Sequence, residues 1–336
     1  MAGPLSNIRV LDLSRILAGP WASQTLADLG AEVIKVERPG SGDDTRSWGP
    51  PFIKQPDGST GDAAYFLSTN RGKRSVEIDM SVPAGQDLIR RLAAKCDIVI
   101  ENFKVGGLKK YGLDYDSLKQ RYPGLIYCSI TGFGQNGPYA ARAGYDFMIQ
   151  GMGGIMSITG QPDGAPGAEP MKPGMAYADI FTGLYSVIAI LGALHHRDKT
   201  GQGQHIDMAL LDSQVAVLGN QALNYLVSGK VPTRLGNAHP NIVPYQTFPT
   251  ADGHIIIAVG NDRQFRTFCA LADLAHVADD ERFSSNRGRV AHRDELVSLL
   301  AKAVTHKTTA QWIDILEEAA VPCGPINRID QVFADA

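Results

Sequence analysis

Residues 8–13 (Ile8-Arg9-Val10-Leu11-Asp12-Leu13) and 31–36 (Ala31-Glu32-Val33-Ile34-Lys35-Val36) flank a helical pattern that opens at Gly19-Pro20 and runs to about Leu29. Both apolar runs are short, rich in branched side chains and bounded by turn residues, so they read as buried strands. Proline suits the first helical turn between them, where its missing N–H would be unpaired anyway, and Gly30 closes that helix. The alternation continues outward. Arg74 to Ile78 is extended, Ala84 to Lys95 helical, Asp97 to Ile100 a strand, Tyr115 to Arg121 helical and Leu125 to Ile130 a strand. Strands alternating with helices predict a parallel sheet with crossover helices, a Rossmann-like α/β layer.

From about Tyr139 to Gly174 the chain is rich in Gly, Pro and small residues and reads as an ordered binding loop. A helix is expected from Asp179 to His196, a strand from Gln204 to Met208, and one long helix from about Leu211 to Ser228. Past Gly236 come a strand, Ile255 to Val259, and amphipathic helices at about 264–273, 293–305 and 309–319. The pattern predicts a large Rossmann-like domain over 1–210, a linker helix over 211–229 and a small α+β domain over 230–325. Residues 326–336 read as the start of a C-terminal return segment that the sequence cuts short.

The 336 residues are 44% hydrophobic and 20% charged with a net charge of -3, which gives no general reason to expect nucleic acid as partner. Cys96, Cys128, Cys269 and Cys323 form no CxxC pair and fit neither a zinc site nor a disulfide framework, so they read as reduced thiols. No secretory signal pattern opens the chain, and the apolar run from Gly183 to Leu194 is too short to span a bilayer. These features predict a soluble protein of the cytoplasm, or of an organelle matrix, with no membrane partner and no metal.

Gly132-Phe133-Gly134-Gln135-Asn136-Gly137 fits GxGxxG after a strand, but no helix opens there and no acid follows a further strand on schedule. A loop that lets backbone approach a ligand is the better reading. Asn70-Arg71-Gly72-Lys73-Arg74 clusters three cations, and Arg38, Lys109, Lys110 and Arg142 also lie in or beside loops of the first half. Loops that follow strands of an open α/β sheet converge on one crevice, and several cations there suit a ligand with more than one phosphate. Asp179 stands alone among small and apolar residues. A helix N-cap is the ordinary explanation; a nucleophile held in a water-poor pocket is compatible with it. No HExxH motif and no GxSxG elbow is present.

Taken in order, these segments resemble the class III CoA-transferases, the family of formyl-CoA transferase and the carnitine CoA-transferase. The likeness spans nearly the whole chain. It runs through Arg9-Val10-Leu11-Asp12-Leu13, Ala18-Gly19-Pro20, residues 29–38, Asn70 to Ser75, Asp97 to Phe103, Gly137-Pro138-Tyr139, Lys199 to Gln204 and Gly236-Asn237-Ala238-His239-Pro240. The resemblance implies a CoA-transferase with Asp179 as nucleophile, working through an aspartyl-acyl anhydride and an aspartyl-CoA thioester. It implies that Arg38, Asn70, Arg71, Gly72, Lys73, Asn102, Phe103, Lys110, Arg142, Tyr145 and Asp146 contact coenzyme A. Gly260 and Asn261 match a mobile loop that covers the substrate. Arg46, in Thr45-Arg46-Ser47-Trp48, is expected to pair with the distal carboxylate of a dicarboxylate, as in members that handle succinyl-CoA. The partners implied are acyl-CoA, a small carboxylic acid and a second copy in an interlocked homodimer, with no permanently bound cofactor. Two alternatives remain open. Related α-methylacyl-CoA racemases place a histidine where this chain has Tyr145, and a phenol is a poor base near neutrality. A CoA sensor that has lost its chemistry is the other.

Overall fold

The computed structural model describes residues 3–335. Its first half is laid down as β1 (Arg9–Asp12), α1 (Ala18–Asp28), β2 (Glu32–Glu37), a β3 (Phe52–Lys54) and β4 (Thr60–Ala63) hairpin, α2 (Ala64–Asn70), β5 (Lys73–Glu77), α3 (Pro83–Ala93), β6 (Ile98–Glu101), α4 (Tyr115–Lys119) and β7 (Ile126–Thr131). There follow α5 (Asp146–Met152), α6 (Ile155–Ile158), α7 (Tyr177–Thr200), β8 (His205–Ala209), α8 (Leu210–Ala216) and α9 (Asn220–Ser228). Six strands form one all-parallel sheet in the order β5-β2-β1-β6-β7-β8. Counted within that sheet alone, this is the doubly wound order 3-2-1-4-5-6.

Alternate residues of each strand feed opposite faces, as the period of two requires. Val10, Ile98, Ile100, Ile126, Cys128 and Ile130 pack under α1 and α7. Leu11, Val36, Val99 and Tyr127 pack against Ile89 of α3 and Leu118 of α4 on the other side. Burial on both faces explains why the strands read as near-continuous apolar runs. α7 has 24 residues and is long and apolar enough to cross a membrane by length and composition. In this fold its buried residues, among them Ala178, Val187, Ile190 and Leu194, belong to the core beneath α1.

The chain divides into two compact units, residues 1–159 with 170–232, and residues 160–169 with 233–336. Residues 160–169, expected in the large domain, therefore cluster with the second unit. The single helix expected over 211–229 is two helices of the first unit. The break falls at Gly219, whose φ of +56° and ψ of -125° lie outside the region open to a side-chain-bearing residue. The stretch 139–174 is also not all loop, since α5 and α6 form inside it. Their apolar stretches are too short for a periodic face to show in sequence.

The second unit is an antiparallel sheet, β11 (Cys323–Pro325), β10 (His254–Ala258) and β9 (Tyr245–Pro249), with α10 (Asp262–Leu271), α11 (Ala275–Ala278), α12 (Asn286–Ala291), α13 (Arg293–Val304), α14 (Thr309–Glu318) and α15 (Ile329–Ala334). Phe248, Ile255, Ile257, Phe265, Phe268, Leu300 and Trp312 form its core. A capping box between Thr308 and Gln311 starts α14. The return segment expected over 326–336 contains α15; Ala336 lies outside the described residues.

Candidate active site

In an open parallel sheet, loops diverge where the strand order reverses and leave a crevice at the carboxyl ends of the strands. Here that point lies between β1 and β6, and a cavity of about 1000 Å³ opens there. Its walls are the segments that follow the strands: Ser14–Ala18, Arg38–Pro39, Ile78–Ser81, Asn102–Val105 and Thr131–Gly132. Arg142, Tyr145, Asp146 and Asp179 complete it.

Beneath the cavity the chain buries charge. Asp12, at the end of β1, is fully buried and accepts from the Ser14 and Ser23 hydroxyls and from Lys73 Nζ at 3.1 Å. Lys35 Nζ pairs with Asp43 at 2.9 Å and donates to the Ser14 carbonyl at 2.8 Å. Burial alone would raise Asp12, but Lys73, Lys35 and the two hydroxyls outweigh it and hold the carboxyl at about 2. Burial lowers Lys73 to about 8 against the pull of Asp12, so both partners are charged at neutrality.

This network holds a strained loop. Ile16 sits at φ +74°, a left-handed conformation that a β-branched residue rarely adopts. The Asn102 side chain accepts from the Arg15 N–H at 3.0 Å and donates to the Arg15 carbonyl at 2.6 Å. The Asp43 carboxylate accepts the Ile16 N–H at 3.3 Å. Strain of about 1–3 kcal/mol persists only where such surroundings over-determine it.

Of the expected CoA contacts, Arg38, Asn102, Phe103, Lys110, Arg142, Tyr145 and Asp146 meet at the cavity with Asp179. Asn102 lines it, but its amide is spent on Arg15, so its side chain shapes the wall. Asn70, Arg71, Gly72 and Lys73 are a correction. Lys73 is buried under Asp12, Arg71 pairs with Asp28, Asn70 bonds Lys73 Nζ at 2.9 Å, and Gly72 forms a turn at φ +74°. The physical reason is polarity of the strand: these residues lead into and open β5, whereas the cavity takes Ile78-Asp79-Met80-Ser81 from its far end. Arg46 is a second correction. Its guanidinium donates to Glu37 at 2.8 and 2.6 Å and to Asp62 at 2.7 Å, and stacks on Phe66 at 3.7 Å. The Nε/Nη2 fork is thus spent on Glu37, and Arg46 does not line the cavity. Gly260 and Asn261 belong to the second unit, where the Asn261 side chain caps α10 by accepting the Gln264 N–H at 2.9 Å and Gly260 donates to Gln264 Oε1.

Asp179 occupies the first turn of α7, but Ala176 is the N-cap, so the carboxylate is not a cap. Its backbone N–H donates to Asp146 Oδ1 at 3.2 Å, and Gln150 Nε2 donates to Asp146 Oδ2 at 2.6 Å. Burial first, and then the neighbouring Asp146 charge, push Asp179 up to about 7. The Tyr65 phenol is raised to about 12 by burial, then by Asp179, Asp146 and Asp43. Tyr65 and its edge-to-face neighbour Trp48, at 5.3 Å, were not singled out in the sequence; the aromatic residues beside the Thr45–Trp48 loop were the available signal. Among the described residues no His, Cys, Asp and Glu cluster could hold a metal ion.

At Gly132, the first glycine of the GxGxxG run, the close approach is to another stretch of backbone. A Cβ on Gly132 would stand 2.5 Å from the Gly144 Cα, and one on Gly144 would stand 2.4 Å from the Gly132 Cα. Two backbones touch here, and the contact sets the segment that carries Tyr145 and Asp146.

A doubly wound sheet, a cation-edged crevice at its switch point and a carboxylate there raised by burial suit an α/β enzyme for a phosphorylated ligand. The chain belongs to CoA-transferase family III, whose model matches residues 5–336. It is 59% identical over 332 residues to the succinate–glutarate CoA-transferase of Agrobacterium fabrum, covering 99% of this chain and 82% of that protein. It is 46% identical over 332 residues to the succinyl-CoA:glutarate CoA-transferase of Homo sapiens, covering 99% of this chain and 74% of that protein. The crystal structure of a CAIB/BAIF family protein from Brucella suis superposes with a TM-score of 0.87 at 59% identity, over 100% of this chain and 87% of that one. The chain is therefore an acyl-CoA:carboxylate CoA-transferase, as its resemblance implied.

Proposed function

We propose that this enzyme moves CoA from succinyl-CoA to a dicarboxylate of the glutarate type through covalent intermediates on Asp179. The observation that carries the nucleophile is the placement of that raised, half-buried carboxylate in the crevice with the unpaired cations Arg38, Lys110 and Arg142 along its rim. The substrate class rests on the names of the relatives. Asp179 attacks the thioester carbonyl, the C–S bond breaks, and an aspartyl-succinyl anhydride and CoA thiolate result. The thiolate then attacks the aspartyl carbonyl and releases succinate, leaving an aspartyl-CoA thioester. The acceptor carboxylate attacks that thioester, and the returning thiolate takes the new acyl group and restores Asp179. No net proton or electron is exchanged, and splitting the exchange this way is ordinary covalent catalysis. A carboxylate with a high pKa is also the more basic nucleophile.

The enzyme acts as a homodimer in this reading. Support comes from apolar side chains left on the first unit's surface, Ile188 on α7 and Leu226 and Val227 on α9, exposed by 63%, 73% and 83%. Four free cysteines suit a reducing compartment, cytoplasm or organelle matrix.

Peptide mass spectrometry after incubation with succinyl-CoA tests the proposal. A CoA-sized, hydroxylamine-labile adduct on the Asp179 peptide, missing in Asp179→Ala, is expected. Its absence from folded, CoA-binding protein removes the covalent reading, and equal turnover with monocarboxylates removes the substrate class.

A further inference from the structure

The segment after β7 forms a closed loop, because Gly132 and Gly144 touch at its neck. Inside it the Gly134 N–H donates to Thr131 Oγ1 at 2.9 Å, and the Gln135 N–H donates to the Asp207 carboxylate at 2.9 and 3.1 Å. Phe133 is partly buried and packs on the core beneath α1 and α7. Tyr139 meets it edge to face at 5.5 Å. The Arg142 guanidinium lies 5.3 Å from the Phe133 ring and 4.7 Å from the Tyr139 ring, both within the reach of about 6 Å over which a ring face attracts a cation. A backbone turn, in which the Arg142 N–H donates to the Tyr139 carbonyl at 2.9 Å, keeps the two residues together. Arg142 lines the cavity and the two rings stand behind it.

Among the described residues Arg46, Arg142, Arg282 and Arg289 lie over aromatic rings. Arg46 spends its N–H edge on Glu37 and Asp62, Arg282 on Asp280 and Glu295, and Arg289 on Asp262 and two backbone carbonyls. Arg142 differs: its flat face is held by the rings, and its edge meets neither an acid nor a carbonyl. A ring contact leaves the in-plane N–H donors free, whereas a carboxylate partner would occupy them. We infer that Phe133 and Tyr139 are positioning residues for coenzyme A: they form an aromatic platform that holds Arg142 with its N–H fork open to a phosphate group of CoA. An arginine without such support loses its rotamer freedom only when the anion arrives, and that loss weakens binding. On the platform much of the loss is taken when the chain folds. Arg38 and Lys110 line the same cavity, and several cations suit a ligand with more than one phosphate. The Tyr139 hydroxyl makes no hydrogen bond within the described chain, so the ring is the part that acts.

Calorimetric titration with CoA itself tests this. No acyl group is present, so the outcome is independent of the nucleophile and of the acceptor acid. Tyr139→Leu, at a position 44% exposed, is expected to raise Kd for CoA about threefold to tenfold. Tyr139→Phe keeps the ring and is expected to leave Kd unchanged. Replacing Tyr139 by phenylalanine with one, two or three ring fluorines keeps the shape and drains negative charge from the ring face, so Kd should climb with each fluorine. That series also stands in for the Leu variant should it not fold. Arg142→Ala alone is expected to weaken CoA binding by at least about tenfold, and in its background Tyr139→Leu is expected to add nothing. A Kd that rises with Leu but ignores fluorination would show packing alone and overturn the inference. An equal loss from Tyr139→Leu with and without Arg142 would do the same, and so would unchanged CoA affinity in Arg142→Ala.

Discussion

Replacing Asp179 by asparagine should abolish transfer if the proposed nucleophile is right and, by the electrostatics of burial, stabilise the fold above neutrality. Asp179 ionises at about 7 in the folded chain against 3.8 for the free group. At 1.36 kcal/mol per unit the gap amounts to about 4 kcal/mol, and relaxation around the half-buried carboxylate brings it to about 2 kcal/mol. The sign follows from linkage. A folded pKa above the unfolded one means that the fold holds the proton more tightly, so stability falls as pH rises from about 4 and the full cost stands above about 7. Asparagine has the same shape and cannot ionise. It forgoes the attraction between a carboxylate and the α7 N-terminus, but that is only about 0.3–1 kcal/mol, so burial wins. For a unit of this size about 2 kcal/mol corresponds to a rise in Tm of about 4–8 °C. Thermal and urea melts of both proteins at about pH 5 and pH 8 measure it, and the gain at pH 5 is expected to be smaller than that at pH 8. A difference independent of pH, or a less stable variant at pH 8, would refute the reasoning and with it the desolvated state of Asp179.

Arg46→Ala leaves Glu37, 2% exposed at its side chain, without its cation and should cost about 3–5 kcal/mol in urea unfolding. Preference for dicarboxylate over monocarboxylate acceptors should not change in the protein that remains folded. Glu37 is held at about 2, against the upward push of burial, by Arg46, Ser75 and the Asp43 N–H, so the wild type gains from this carboxyl above about pH 4 and loses that gain as acid protonates it; Arg46→Ala should flatten that acid dependence. Asn102→Ala releases Arg15 and the strained Ile16, which should raise KM for acyl-CoA about tenfold in steady-state kinetics while costing only about 1–2 kcal/mol of stability. Gly132→Ala forces a methyl group into the Gly144 backbone and should cost about 1–3 kcal/mol, with Asp179 adduct formation slowed more than tenfold as Asp146 shifts.

By itself the sequence determined the sheet and marked out Asp179. Two-faced burial leaves unbroken apolar runs at β1, β2, β6 and β7, and the helix between the first two is bounded by Pro20 and Gly30, so local chemistry alone announces a parallel layer. The lone Asp179 among small residues was legible for the same reason, because a carboxylate without a polar neighbourhood is conspicuous in one dimension. Tertiary structure decided which charges are free. Arg46 and Lys73 look like ligand-binding cations in sequence, yet Glu37 and Asp12 lie 9 and 61 residues away along the chain and meet them only because the sheet brings strand ends together. The same holds for Gly132 and Gly144, twelve residues apart in the chain, whose backbones meet only in the folded structure. Residue type is local, but the partner that spends a charge is chosen by topology. That is why the fold could be read along the chain and the occupancy of each side chain could not.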